Sequence, residues 1–417
     1  MKNRLLALTG LVLLNTACQA IPVPDRMSAV LTASGKKAPA TIHRITYGSR
    51  ENLDRLVTMG LDLFEDARDG AVGARLTTAQ VTRLERAGYG VSRAMGTLDM
   101  PGQGKPFPAG YHRVDEVEAE FRAMAARSPQ LARFHVLGRS LEGRPIFALQ
   151  FGTRSYATRP EVLFYSGVHA RELPPVEVMW RLAHHLEDGY GRDPVVTELL
   201  QQREIWIVPL VNPDGRVRVQ AGADMWRKNA RNNGDGTEGV DLNRNYDARW
   251  EGGNPHSIDE DYHGPRMESE PETLVMRNFM AAHAFKLSVD MHCFAGAVLW
   301  PPGYDKHFTK DEVVLGTLGR AIANRLAYRA GTIERTLYRV CGDSSTWANE
   351  KLGTLAFTVE LDDRGFSPAF EAVDRDWDQW RWPLVWLARM AANPAAAPSL
   401  LPNEPKARPG ISGFPAL

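Results

Sequence analysis

Residues 161–172 read Glu161-Val162-Leu163-Phe164-Tyr165-Ser166-Gly167-Val168-His169-Ala170-Arg171-Glu172. Glu161 to Gly167 is a short, mostly apolar run of strand length, as expected of a strand buried on both faces. Just behind it, residues 174–187 set Val176, Met179, Ala183 and Leu186 at helical spacing. A buried strand that runs straight into an amphipathic helix is a building unit of parallel sheets. Working outward, further strands are expected at Ile205 to Val211, Lys286 to Asp290 and Ala356 to Glu360. The fold class is therefore α/β over residues 111–393: a mixed, mostly parallel β-sheet with helices on both faces.

The same twelve residues carry the first chemical signal. His169 and Glu172 stand where a strand gives way to a helix, and ligands of such sheets bind at the carboxyl ends of strands. A His and a Glu three apart can converge on one ion, although an isolated His-x-x-Glu pair is common. A second strand, Val289-Asp290-Met291-His292, also ends in a histidine. Two histidines and one glutamate leave a fourth position open, which makes a catalytic zinc set rather than a closed structural one. Asp241, in Val240-Asp241-Leu242-Asn243-Arg244-Asn245, can accept a hydrogen bond from a ligand histidine and fix its tautomer.

The flanking segments have a different character. Residues 97–110 are rich in Gly and Pro and read as a linker. Before it, residues 21–96 hold a strand-helix-strand-strand-helix-strand pattern: Ile42 to Tyr47, Arg50 to Met59, Leu61 to Phe64, Val72 to Leu76, a helix capped by Thr77 or Thr78, and Gly88 to Val91. That order suits a small ferredoxin-like α+β module. Residues 394–417 form a Pro-rich tail with no expected fold. Residues 1–20 carry Lys2 and Arg4, an apolar run from Leu5 to Leu14, and small residues after it. This is the layout of an export signal, and the run is too short for a transmembrane helix. Cys18 follows it and marks a candidate lipid anchor. The expected location is periplasmic, secreted or anchored as a lipoprotein.

Composition narrows the function classes. The chain has 417 residues, and 50 Lys plus Arg balance 50 Asp plus Glu, so no nucleic-acid footprint is expected. Beyond Cys18 there are two cysteines, Cys293 and Cys341, too few for a disulfide framework. Stability must come from the core, and the chain is expected to be a monomer.

Taken in order, the motifs resemble the carboxypeptidase A family of zinc metallocarboxypeptidases, in its bacterial form with signal and pro-region. His169-Ala170-Arg171-Glu172 looks like the family's first metal motif, and Asn212-Pro213-Asp214-Gly215 like the turn after its next strand. Trp226-Arg227-Lys228-Asn229 and Asp241-Leu242-Asn243-Arg244-Asn245 are similar to its substrate-binding stretches. Asp290-Met291-His292, Tyr338 and Phe357-Thr358-Val359-Glu360-Leu361 complete the set.

The resemblance implies one Zn²⁺ per active site, on His169, Glu172 and His292. It implies Glu360 as the general base and Arg227 as the stabiliser of the oxyanion. Asn243, Arg244 and Tyr338 would hold the terminal carboxylate of a peptide or protein, with Arg171 assisting. Asp343 and Ser345, in Gly342-Asp343-Ser344-Ser345-Thr346, would line the pocket for the last side chain. With a serine where basic-preferring relatives carry an aspartate, the expected preference is broad, covering basic and apolar ends. Residues 21–96 resemble a pro-region that covers the cleft until the linker is cut; the alternative is a folding aid or a permanent accessory domain. The chain departs from the pattern at Phe294, where many relatives have Tyr, and at Leu361-Asp362-Asp363. Two other functions compete. One is cleavage of cell-wall peptides, which turns on the C-terminal group accepted. The other is a catalytically dead zinc-holding protein, which would bind without turnover.

Overall fold

The computed structural model describes residues 27, 39–94, 106–153, 158–362 and 364–396. The expected export signal, the lipid-anchor cysteine, most of the linker and most of the Pro-rich tail lie outside them. Among the described residues no helix is long and apolar enough to cross a membrane.

The N-terminal part runs β1 (Ala40–Thr46), α1 (Arg50–Thr58), β2 (Asp62–Leu63), β3 (Ala71–Thr77), α2 (Thr78–Arg86) and β4 (Gly90–Arg93). Its four strands lie in the order β2-β3-β1-β4, and every pairing is antiparallel. Local sequence sets both helix starts. Ser49 accepts a hydrogen bond from the Asn52 amide at the head of α1. At α2, Thr77 and Gln80 form a reciprocal capping box that satisfies two otherwise orphaned amides.

After the linker come α3 (Val114–Arg127), β5 (Ala132–Arg139), β6 (Pro145–Phe151), β7 (Glu161–Ser166), α4 (Pro174–Gly189), α5 (Pro194–Gln202), β8 (Glu204–Val208), α6 (Pro213–Gln220), α7 (Pro271–Ala282) and β9 (Phe285–His292). The chain continues through β10 (Ala297–Trp300), α8 (Glu312–Leu326), β11 (Arg329–Thr332), the short helices α9 (Ile333–Thr336) and α10 (Ser344–Trp347), β12 (Leu355–Glu360) and α11 (Glu371–Met390). Four helices open on proline, at Pro174, Pro194, Pro213 and Pro271. The first turn has no partner for an N–H there, and proline's fixed φ already suits a helix.

The eight-stranded sheet has the order β11-β10-β12-β9-β7-β8-β6-β5. Its centre is parallel, through the β12–β9, β9–β7 and β7–β8 ladders, while β5, β6 and the β10–β12 pair are antiparallel. The sheet is thus mixed, and the four strands expected from apolar runs are its centre. The larger core cluster joins one face to residues of α3, α4, α5, α8 and α11, including Phe121, Leu182, Leu199, Leu318 and Trp380. On the other face Met276, Phe279 and Met280 of α7 pack with Leu163, Tyr165 and Trp206. Strands β7, β9 and β12 end side by side, and that shared edge carries the candidate site.

Candidate functional site

At the end of β7 the chain must turn sharply to present residue 169, and Gly167 makes the turn with φ +66°. A Cβ at Gly167 would stand 2.6 Å from Leu210 Cδ1, so both space and backbone exclude a side chain. His169 and Glu172 follow, both buried. His292 ends β9, the next strand in the sheet.

The three side chains converge. His169 Nδ1 lies 2.8 Å from Glu172 Oε1, His292 Nδ1 lies 3.0 Å from Glu172 Oε2, and the two Nδ1 atoms are 3.1 Å apart. Donors that share one zinc ion at about 2.0–2.1 Å stand roughly 3.3 Å from each other, so the spacing fits such an ion. The far side of each ring fits too. His169 Nε2 meets Asp241 Oδ1 at 3.1 Å, and His292 Nε2 meets Asp290 Oδ2 at 3.0 Å. Both imidazoles are thereby turned with Nδ1 toward Glu172, the carboxylate–histidine pairing that orients metal ligands. Burial works against ionisation of Glu172, and the two imidazoles overcome it, holding its carboxyl well below the usual range. Among the described residues this is the one cluster of three or more His, Cys, Asp or Glu side chains arranged to hold a metal ion.

Register brings Glu360 to the triad. β12 pairs with β9 in parallel, and the ladder ends with Glu360 directly opposite His292. Glu360 is buried and its Oε2 has no hydrogen-bond partner. Burial pushes its carboxyl well up; His292 opposes the shift, and the Glu172 and Glu65 carboxylates add to it.

Asp241 organises the opposite wall. It accepts from the Asn243 amide at 2.9 Å and from Arg227 Nε at 2.9 Å while facing His169. Against its burial, Arg227 and then His169 hold it well below the ordinary carboxylate range. Arg227 Nη1 lies 4.0 Å from Glu172 Oε1, beside the triad. Asn243 Oδ1 accepts from the Ser344 amide at 2.9 Å, which joins this wall to α10. Arg244 is buried, with Nη1 donating to the Asn243 carbonyl at 2.9 Å. Tyr338 is buried; burial pushes the pKa of its hydroxyl well up, Glu65 adds to the shift, and Arg244 and Arg227 oppose it.

Asp343 caps α10 by accepting from the Thr346 amide at 2.8 Å, and its Oδ2 is buried without a partner. Ser345 Oγ is 2.8 Å from Thr358 Oγ1 of β12. Arg171 is buried and engaged by the N-terminal part: its Nη1 donates to Asp62 Oδ1 at 3.0 Å, and its guanidinium lies 4.2 Å over the Phe366 ring. Cys293 and Cys341 are buried and form no disulfide.

Three participants escaped the sequence reading. Asp290 supports His292 and accepts from Ser344 Oγ at 2.8 Å. It sits two residues before His292 on one strand, so the period-2 rule puts both on one face, a signal that was available. Asp62 and Glu65 come from the N-terminal part, and nothing in a single sequence ties them to residues more than a hundred positions away.

Gly342, at φ +78°, passes against the backbone of Arg244, and a Cβ there would fall 2.1 Å from the Arg244 carbonyl oxygen. Gly342→Ala is therefore expected to cost about 3 kcal/mol or more of stability, read as a lowered denaturation midpoint in urea. A shift below about 0.5 kcal/mol would show that the backbone there yields freely.

The zinc carboxypeptidase family model matches residues 117–381. Carboxypeptidase A4 of Mus musculus is 33% identical over 272 residues, covering 63% of this chain and 63% of that protein. Carboxypeptidase B of Canis lupus familiaris is 32% identical over 268 residues, covering 61% of this chain and 64% of its own length. The matched segments thus span less than two thirds of these relatives. The crystal structure of carboxypeptidase A from Helicoverpa armigera superposes with a TM-score of 0.75 at 22% identity, over 86% of this chain and 98% of that one, a likeness of fold.

Proposed function

We infer, from the premise that this chain belongs to the zinc carboxypeptidase family, that it hydrolyses the last peptide bond of peptides and proteins. The observation that carries the reading is the unpartnered, buried Oε2 of Glu360, held by strand register opposite His292 at the edge of the metal triad. When bound on His169, Glu172 and His292, zinc supplies the Lewis acidity that polarises the scissile carbonyl and makes water nucleophilic near neutral pH. Glu360 takes the proton from that water and passes it to the departing amine. Arg227, fixed by Asp241, presents its guanidinium to the oxygen on which charge develops. Asn243, Arg244 and Tyr338 hold the substrate's terminal carboxylate, with Arg171 assisting its approach. An internal peptide bond has no such carboxylate to offer, so the action is that of an exopeptidase.

The described part of residues 21–96 serves as a pro-region, and cutting within residues 97–110 releases the enzyme after export. Ion pairs support this: Asp62 sits on Arg171, Glu65 on Arg227, and Arg50 on Glu334.

The test is one peptide in two forms, free acid and C-terminal amide, offered to protein cut in the linker and followed by mass spectrometry. Single residues should leave the free acid only, stop with a chelator and resume with zinc. Equal cleavage of both forms would show an endopeptidase and sink the carboxylate-clamp assignment.

Asp343 and Ser345 shape the preference for the last residue. Burial raises the Asp343 carboxyl to about 6, with the Thr346 hydrogen bonds opposing the shift. A raised carboxyl loses its charge as pH falls through that value, so preference for Arg-ended over Leu-ended peptides should fade below about pH 6. Asp343→Asn keeps the helix cap and should lower the Arg/Leu ratio of kcat/KM about tenfold at pH 7.5. An unchanged ratio would remove Asp343 from the pocket.

A further inference from the structure

The turn that carries Glu172 into α4 has a local shortage of donors. A carbonyl at the mouth of a helix ordinarily accepts from an amide three or four residues on. For Glu172 those positions are Pro175, which has no N–H, and Val176, whose amide goes to the Leu173 carbonyl at 3.3 Å. The turn is tied at two other points, by the Ala170 amide to the Arg227 carbonyl at 3.0 Å and by the Leu173 amide to the Phe366 carbonyl at 2.9 Å. The Glu172 carbonyl is met from α6 instead: Arg216 Nη2 donates to it at 2.7 Å.

Arg216 is an unusual choice of donor. It is 1% exposed, and its Nε and Nη1 are buried with no hydrogen-bond partner. Burial pulls its guanidinium down to about 10, with Glu177 the first of the groups that oppose the shift, so it remains a cation at neutral pH. A buried cation with one neutral acceptor is costly, and an apolar side chain of similar volume generally serves a core as well or better. Packing therefore gives no reason to keep it, whereas its contact does. The segment that carries Arg216 is itself built onto the turn. Asn212 Oδ1 accepts from the Gly215 amide at 2.9 Å, and its Nδ2 donates to the Val168 carbonyl at 3.1 Å, one residue before His169.

We propose that Arg216 is a positioning residue for the metal centre: by pinning the Glu172 carbonyl it holds the first-ligand turn in the geometry that binds the ion. This rests on the metallocarboxypeptidase reading and adds to it a residue outside the ligands and the carboxylate clamp. The stability given up by burying the charge is exchanged for a turn that is set before the metal arrives.

The uncut full chain, Arg216→Met and Arg216→Lys would each be loaded with zinc, its loss to a chelator timed, and the urea midpoint of each metal-free form measured. Arg216→Met keeps the length of the side chain without charge or donor, and should release zinc about tenfold faster or more. Its metal-free form should unfold at the same urea concentration as the unmodified chain or a higher one. Arg216→Lys keeps the charge and a donor on a flexible stem, and should release zinc more slowly than the methionine variant. Where the methionine variant fails to fold, Arg216→Gln carries the same comparison. Zinc release at the unmodified rate overturns the proposal, as does faster release matched by a lowered midpoint of the metal-free form, the mark of a merely structural role. If the unmodified chain takes up no zinc, the metal-centre reading falls and the proposal with it. If it holds zinc and linker-cut protein trims free-acid peptides while the variants release zinc no faster, only the role of Arg216 is lost.

Discussion

Replacing Glu360 by Gln should lower kcat/KM by about 10²–10⁴-fold while zinc content stays at one per chain. The side chains are nearly equal in volume, so packing at the end of β12 survives, and the metal triad keeps its own three donors. What disappears is the capacity to take a proton. The same capacity sets a pH dependence. Burial pushes the Glu360 carboxyl up, so it fills with a proton early as pH falls, and activity should decline on the acid side. The glutamine variant should lack that limb. Steady-state kinetics on linker-cut protein, with metal analysis of the same samples, check both statements. A loss below tenfold with full metal occupancy would remove Glu360 from the proton path.

Cutting the chain within residues 97–110 should raise activity on small free-acid peptides by about 100-fold or more. The estimate follows from what must move. Arg171 and Arg227 both spend their charge on carboxylates of the N-terminal part, and Phe64 packs edge-on against Phe294 and Phe366. A cavity bounded by Leu63, Glu65, Arg227, Arg244 and Tyr338 lies there, and the N-terminal part supplies some of its walls. Arg329 adds a hydrogen bond to the Ala67 carbonyl at 2.6 Å, and Arg50 one to Glu334 at 2.8 Å. Buried pairs are screened weakly, so raising salt without cutting should restore little of the activity. Timed proteolysis with parallel assays decides the matter. Equal rates before and after the cut would make this part a permanent accessory.

Much of this was legible in the chain because the informative residues are close in sequence or repeat with a simple period. The central strands announce themselves as apolar runs, since a strand covered on both faces has no polar side to show. Edge elements gave weaker signals. β5 mixes Arg133, His135 and Arg139 with a register shift between Val136 and Gly138, and β11 is four residues with a glycine. Such strands form because a neighbour offers a ladder, a cause that lies outside their own sequence. The site divides the same way. His169 and Glu172 are three apart and Asp290 and His292 two apart, so local geometry links each pair. Glu65 and Arg227 meet only through tertiary packing, and no spacing rule reaches across that interval.

The ladder that sets Glu360 against His292 has a consequence for descent. Alternate residues of a strand face opposite sides, so losing one residue between Leu355 and Glu360 would carry the carboxylate to the far face of the sheet. Drift by substitution there is gradual, whereas drift by insertion or deletion is all-or-none. A lineage that slipped by one residue would keep its metal ligands and its fold, and would reach the sterile state of a zinc-holding protein in a single step.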